Sequence, residues 1–117
     1  MQKVYYLKTC STCSRILKEL NLPSSFVLQD IKTEEITVKQ LEQMKSLSGS
    51  YEALFSKRSQ LYKKMDLKNQ VLTEKDYKHY ILHHYTFLSR PVFIINNSIF
   101  IGNSKANVDA VKQALNE

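Results

Sequence analysis

From Lys3 to Asp30 the apolar pattern changes period twice. Lys3-Val4-Tyr5-Tyr6-Leu7 is a β-branched and aromatic run of strand type. From Ser11 onward Cys13, Ile16, Leu17 and Leu20 recur on one helical face, with Arg15, Lys18 and Glu19 on the other. Asn21 and the Leu22-Pro23 step close this helix, because the residue before a proline is pushed out of the α region. Ser25–Asp30 then returns to a strand. A helix joining two neighbouring strands predicts a parallel crossover, with the first strand inside the sheet.

The rest of the chain follows the same logic. Thr37, with Gln40 three residues on, forms a capping-box pattern for a helix over Val38–Lys45, which Ser48-Gly49-Ser50 ends. Tyr51–Met65 reads as two short helices. Thr73 and Glu74 open another, with Tyr77, Tyr80, Ile81 and His84 on its apolar face. Pro91–Ile95 and Ser98–Ile101 make a hairpin about Asn96-Asn97, of type I′. Ser104 caps a final helix that carries Val108, Val111, Ala114 and Leu115. The order β-α-β, helical block, β-β-α predicts an α/β chain with a mixed four-stranded sheet flanked by helices. These are the two halves of a thioredoxin-like sheet. All 117 residues are read as one domain, with a helical insertion at about 37–88.

Composition narrows the function classes. Seventeen Lys and Arg against eleven Asp and Glu leave a net charge of +6, too dilute for a dedicated DNA-binding surface. The longest apolar runs, Val92–Ile95 and Ile99–Ile101, are far shorter than the roughly 18 residues of a membrane span. Met1–Lys8 lacks the apolar segment and cleavage site of a signal peptide, so a reducing cytoplasmic setting is expected.

The two cysteines of the chain lie in one motif, Cys10-Ser11-Thr12-Cys13, where the first strand gives way to the first helix. Unpaired N–H groups and the dipole at a helix mouth favour an anion, and thiols in such places titrate at roughly 3.5–7.5. Cys10 is therefore the expected attacking thiolate. Cys13, one turn later, can close a disulfide on it, and the Ser11 and Thr12 hydroxyls can bond a thiolate or bound oxyanion. Two ordinary buried cysteines remain the bland alternative. A Cys₂His₂ zinc set with His79 and His83 is another, but its two pairs are much farther apart than in zinc fingers, and His83-His84 reads rather as a solvated, basic helix face. The basic run Lys57, Arg58, Lys63, Lys64 and Lys68 is either a docking face for an acidic partner or glutathione carboxylates, or a solvated helix surface.

Cys10-Ser11-Thr12-Cys13, Ser56-Lys57-Arg58-Ser59, and His84 six residues before Arg90-Pro91-Val92, followed by Gly102, together resemble the ArsC/Spx family, the arsenate-reductase-like branch of the thioredoxin fold. The resemblance covers nearly the full length. It implies a cis-proline at Pro91 beside the active cysteines and a charge-steadying role for Arg90. Arg58 and Pro91, with Ser11 and Thr12, are then candidate substrate-binding residues.

Glutaredoxin-coupled arsenate reductases carry one cysteine followed by Gly-Thr-Ser-Arg, and several arginines that grip the oxyanion. Cys10 and Arg90 match. At the other arginine positions stand Ser14, with Arg15 next to it, Ser56, with Arg58 two residues on, and Gly102. A dianion wants several charge-assisted bonds, so efficient arsenate reduction is not expected.

The Cys-x-x-Cys pair and Gly102 lean to the Spx side, whose members are redox-switched regulators that bind the RNA polymerase α subunit. The resemblance thus implies a thiol oxidoreductase acting on a small thiol or oxyanion substrate, or on a redoxin protein, or else such a regulator. Glutathione, glutaredoxin or thioredoxin is the implied reductant, and no metal or bound organic cofactor is expected.

Overall fold

Four short strands share one mixed sheet in a computed structural model that describes residues Met1–Glu117. They are β1 (Gln2–Tyr6), β2 (Val27–Asp30), β3 (Val92–Ile95) and β4 (Ser98–Ile101), in the order β2-β1-β3-β4. β1 runs parallel to β2 and antiparallel to β3, and β3 pairs antiparallel with β4. With α1 (Ser11–Leu20) between β1 and β2, and α5 (Lys105–Leu115) after β4, this is a thioredoxin-like α/β fold. The chain divides into two compact units, one of Met1–Glu35 with Arg90–Glu117 and one of Ile36–Ser89.

In the sheet unit, alternation along the strands decides what is buried. Val4 of β1 pairs with Phe93 of β3, and Gln2 with Ile95, so Val4, Phe93 and Ile95 share a face. They pack with Ile16 and Leu20 of α1 and Val108 and Val111 of α5 in one core. Tyr5, Val92 and Ile94 point the other way and are also buried. Burying a side chain such as Phe93 is worth about 1.5–3 kcal/mol. This explains why β3 is apolar at every position, whereas β2, on the sheet edge, leaves Val27 and Leu28 half exposed.

Local chemistry moves several boundaries. β2 begins at Val27 rather than Ser25 because the Phe26 N–H is taken by a turn to the Pro23 carbonyl at 3.1 Å. β1 ends at Tyr6, since the Leu7 carbonyl accepts the Cys10 N–H at 3.0 Å and so starts the turn toward α1. Likewise β3 begins at Val92, with Pro91 just outside it. The hairpin register holds, Ile95 opposite Ser98, but the type I′ expectation does not. Only Asn96, at φ 57°, has positive φ, whereas a type I′ turn requires it of both central residues and a II′ turn of the first alone.

The helical unit contains α2 (Val38–Ser48), α3 (Gln60–Lys64) and α4 (Glu74–His83), with 3₁₀ turns at Glu52–Leu54, Leu67–Asn69 and Tyr85–Phe87. Thr37 and Gln40 form the expected capping box, and α2 runs on to Ser48 until Gly49, at φ 94°, closes it. Thr73 and Asp76 make a second capping box at α4. Of the first predicted pair of short helices, one is a 3₁₀ turn. His84 is not on the apolar face of α4: the helix ends at His83, and His84 is an extended, exposed cap residue. Phe55 centres an aromatic cluster, 4.8 Å from the Tyr77 ring and stacked 5.1 Å from Phe87. No helix is long and apolar enough to cross a membrane.

Candidate functional site

Cys10 is the N-cap of α1, where the first-turn N–H groups have no partner inside the helix and those of Thr12 and Cys13 act on its sulfur. Its thiol is partly sheltered from water, which by itself raises the pKa. That effect is outweighed by the main-chain N–H of Cys13, the Cys13 thiol, the main-chain N–H of Thr12 and the Arg90 guanidinium, and the Cys10 thiol ends below the ordinary cysteine range. Four groups from two distant parts of the chain thus favour its ionised form.

Cys13 is in the opposite condition. It is fully buried on the inner face of α1, and burial pushes its thiol up to about 11. The Leu7 N–H and Arg90 work against this, while the bond to Cys10 and the negative charge there work with it. Cys13 keeps its proton and donates it toward the Cys10 sulfur. Two chemically identical side chains are split by environment into one that ionises early and one that ionises late.

The backbone leading into the site is tied down by side chains. The Ser14 hydroxyl donates to the Lys8 carbonyl at 3.4 Å, and the Lys8 N–H donates to Asp30 Oδ1 at 3.3 Å. Asp30 also accepts the Lys32 N–H at 3.3 Å, so one carboxylate at the end of β2 holds the turns after both parallel strands. Sequence reasoning did not single out Asp30. An acidic residue at the carboxyl end of the second strand of a βαβ unit, level with the cysteine turn, was the available signal.

The expected site residues fall as follows. Cys10, Cys13, Thr12 and Arg90 converge, Thr12 through its main-chain N–H. Ser11 is the exposed first residue of α1. Pro91 is buried behind a cis Arg90–Pro91 peptide, and its carbonyl accepts the Gly102 N–H at 2.9 Å. Gly102, at φ 99°, contributes backbone only. Arg58 belongs to the helical unit, where it is exposed and its N–H donates to Ser56 Oγ at 3.3 Å. No group of three or more His, Cys, Asp or Glu is placed to hold a metal ion.

Comparison with known proteins places this geometry. The model of the ArsC family matches residues 5–111. Among solved structures, an arsenate reductase from Vibrio cholerae superposes with a TM-score of 0.76 at 17% identity, over 95% of each chain. An ArsC-family-related protein from Bacteroides fragilis gives 0.76 at 20% identity, over 94% of this chain and 97% of that one. An arsenate reductase related protein from Brucella melitensis gives 0.69 at 18%, over 93% and 92%. At such identities the likeness is one of fold. No curated protein matches the sequence.

Proposed function

Given a chain that belongs to the ArsC family, we propose that it is a thiol-dependent oxidoreductase cycling between a Cys10/Cys13 dithiol and disulfide, and that its substrate is a sulfur electrophile rather than arsenate. The observation that carries this reading is the split between the two thiols, Cys10 lowered and Cys13 raised, one helical turn apart. A low-pKa attacking thiol and a protonated neighbour suit stepwise exchange.

In the first step the Cys10 thiolate attacks one sulfur of a substrate disulfide. A Cys10–substrate disulfide forms, and the second substrate sulfur leaves as thiolate. Cys13 then gives its proton to solvent or the departing thiolate and attacks the Cys10 sulfur, which releases the first substrate sulfur. Two electrons pass from the dithiol to the substrate. Glutathione, glutaredoxin or thioredoxin returns them by the reverse exchange. Arg90 steadies the negative charge on sulfur throughout.

Arsenate fits this set less well. At the position after the cysteine where the reductases have an arginine, Ser14 is engaged with the Lys8 carbonyl, and Gly102 offers no side chain. Arg90 is the one cation acting on both sulfurs. Reduction of a model disulfide by the reduced protein, with Cys13→Ser stalling as a mass-detectable mixed disulfide on Cys10, tests the reading. Turnover by Cys13→Ser at the wild-type rate with no adduct would overturn it.

The same pair supports a second reading, a redox-responsive regulator that binds the RNA polymerase α subunit, because Cys-x-x-Cys and the absent arginines also mark the Spx side. Capture of the α subunit that changes between the reduced and oxidised protein favours it. Absence of capture in both states removes it.

A further inference from the structure

The thiol site makes no use of the histidines of α4. His79 and His83 lie four residues apart, both exposed, with ring centroids 4.2 Å apart and planes inclined at 43°. The helix beneath them is firmly held. Its start is closed by the Thr73–Asp76 capping box, and Tyr77 and Ile81 bury its other face. Tyr77 also donates to Glu52 Oε2 at 3.2 Å. Two imidazoles therefore stand side by side on a rigid surface, and neither is needed for capping or core packing.

We infer that His79 and His83 form a two-imidazole seat for a late first-row divalent cation, Cu²⁺ foremost. Histidines at this spacing present their rings on successive turns of one face, the arrangement that supplies two ligands in metal-binding helices. Square-planar or tetragonal Cu²⁺ with nitrogen bonds of about 2.0 Å holds two cis nitrogens about 2.8 Å apart, and a tetrahedral metal holds them about 3.4 Å apart. Rings 4.2 Å apart between centroids reach either span by small side-chain rotations. Imidazole nitrogen selects copper, nickel and zinc, and affinity rises to a maximum at Cu²⁺. Magnesium and calcium take oxygen ligands and are excluded by the same chemistry.

The seat has limits that define its use. Asp76, one turn earlier, turns Oδ2 to the helix cap, where it accepts the Thr73 N–H at 2.8 Å and hydroxyl at 3.0 Å, and it does not complete a three-ligand group with the histidines. Lys78 is turned to Glu42 at 3.7 Å. No third His, Cys, Asp or Glu joins the pair, which leaves the other coordination positions to water or an incoming donor. Tyr80 occupies the place next to the first histidine where metalloproteases carry a glutamate base. The seat therefore binds and exchanges an ion and performs no hydrolysis.

The experiment is a Cu²⁺ titration by calorimetry of the full chain carrying Cys10→Ser and Cys13→Ala, which removes thiol ligands. One equivalent should bind, Ni²⁺ and Zn²⁺ more weakly, and Mg²⁺ not at all. His79→Asn and His83→Asn should each weaken Cu²⁺ at least about tenfold, the least that losing a partner at a metal site costs. Equal affinity in either variant overturns the proposal. Should the cysteine variant fail to fold, the wild-type chain with Cys10 and Cys13 oxidised to the disulfide, which removes the thiol ligands, is read by NMR. Trace Cu²⁺ should broaden the His79 and His83 ring signals before those of His84, which lies beyond the helix with its ring 5.7 Å from Phe87. Simultaneous broadening of all three overturns it equally.

Discussion

Replacing Cys10 by serine should change the acidity of Cys13 in a way that separates burial from the partner sulfur. In the wild type the Cys13 thiol titrates at about 11. At pH 7 such a group is ionised in about one molecule in 10⁴, against about one in a hundred at the ordinary value of 9.0 from which it is raised. The native pair thus holds about 100-fold less Cys13 thiolate than an exposed cysteine would show. Burial is the largest cause and survives the substitution, while the bond into the Cys10 sulfur and the charge on it do not. In Cys10→Ser the Cys13 titration should therefore move down from about 11 and stop above the ordinary value. The assay is the pH dependence of the Cys13 Cβ resonance in protein labelled at cysteine, which tyrosine ionisation does not obscure. In the wild type, Cys10 should give an earlier, separate step. Overlapping steps for the two wild-type thiols, or a Cys13 in the variant that titrates like an exposed cysteine, would refute the account.

Arg90→Met removes a charge that lowers both thiols. Iodoacetamide should then alkylate Cys10 more slowly at neutral pH, with Arg90→Lys in between; an unchanged rate denies Arg90 that role. Stability should fall in alkali. Cys13 and Tyr5, raised to about 11 and about 12, bind their protons more tightly folded than unfolded. The stability they add is complete below the unfolded values of 9.0 and 10.0 and is lost as pH climbs through the folded ones. Denaturant midpoints measured across that window should decline, and a flat profile would contradict the burial of both groups. Gly49→Ala places a Cβ at φ 94° where no atom lies within 4 Å, so its cost is conformational alone, about 1–2 kcal/mol by chemical denaturation. A loss near zero would mean that the α2 cap rearranges.

What was legible in the sequence was local. Thr37 and Gln40, Gly49, Thr73 and Ser104 each act on backbone groups within a few residues, so residue type and spacing identify the caps and hence the element order. The exposure of His84 was legible only in part. His83-His84 reads as a solvated basic face, whereas the spacing from Tyr77 and Tyr80 sets His84 on the apolar side; the helix stops one residue short of it and the solvated reading holds. The turn type at Asn96-Asn97 was hidden for a related reason, since asparagine tolerates both signs of φ.

The site divides along the same line. The sequence alone set Cys10 at the mouth of a helix with Cys13 one turn further on, because strand and helix periods meet there. Tertiary structure decided how the two differ. Pairing of β1 with β3 brings Arg90 to both sulfurs, and the core under α1 takes Cys13 out of water. The parallel pairing of β1 with β2 sets Asp30 beside the Lys8 turn. Desolvation and through-space charge depend on what surrounds a group in three dimensions, and no spacing of residues along the chain carries that information.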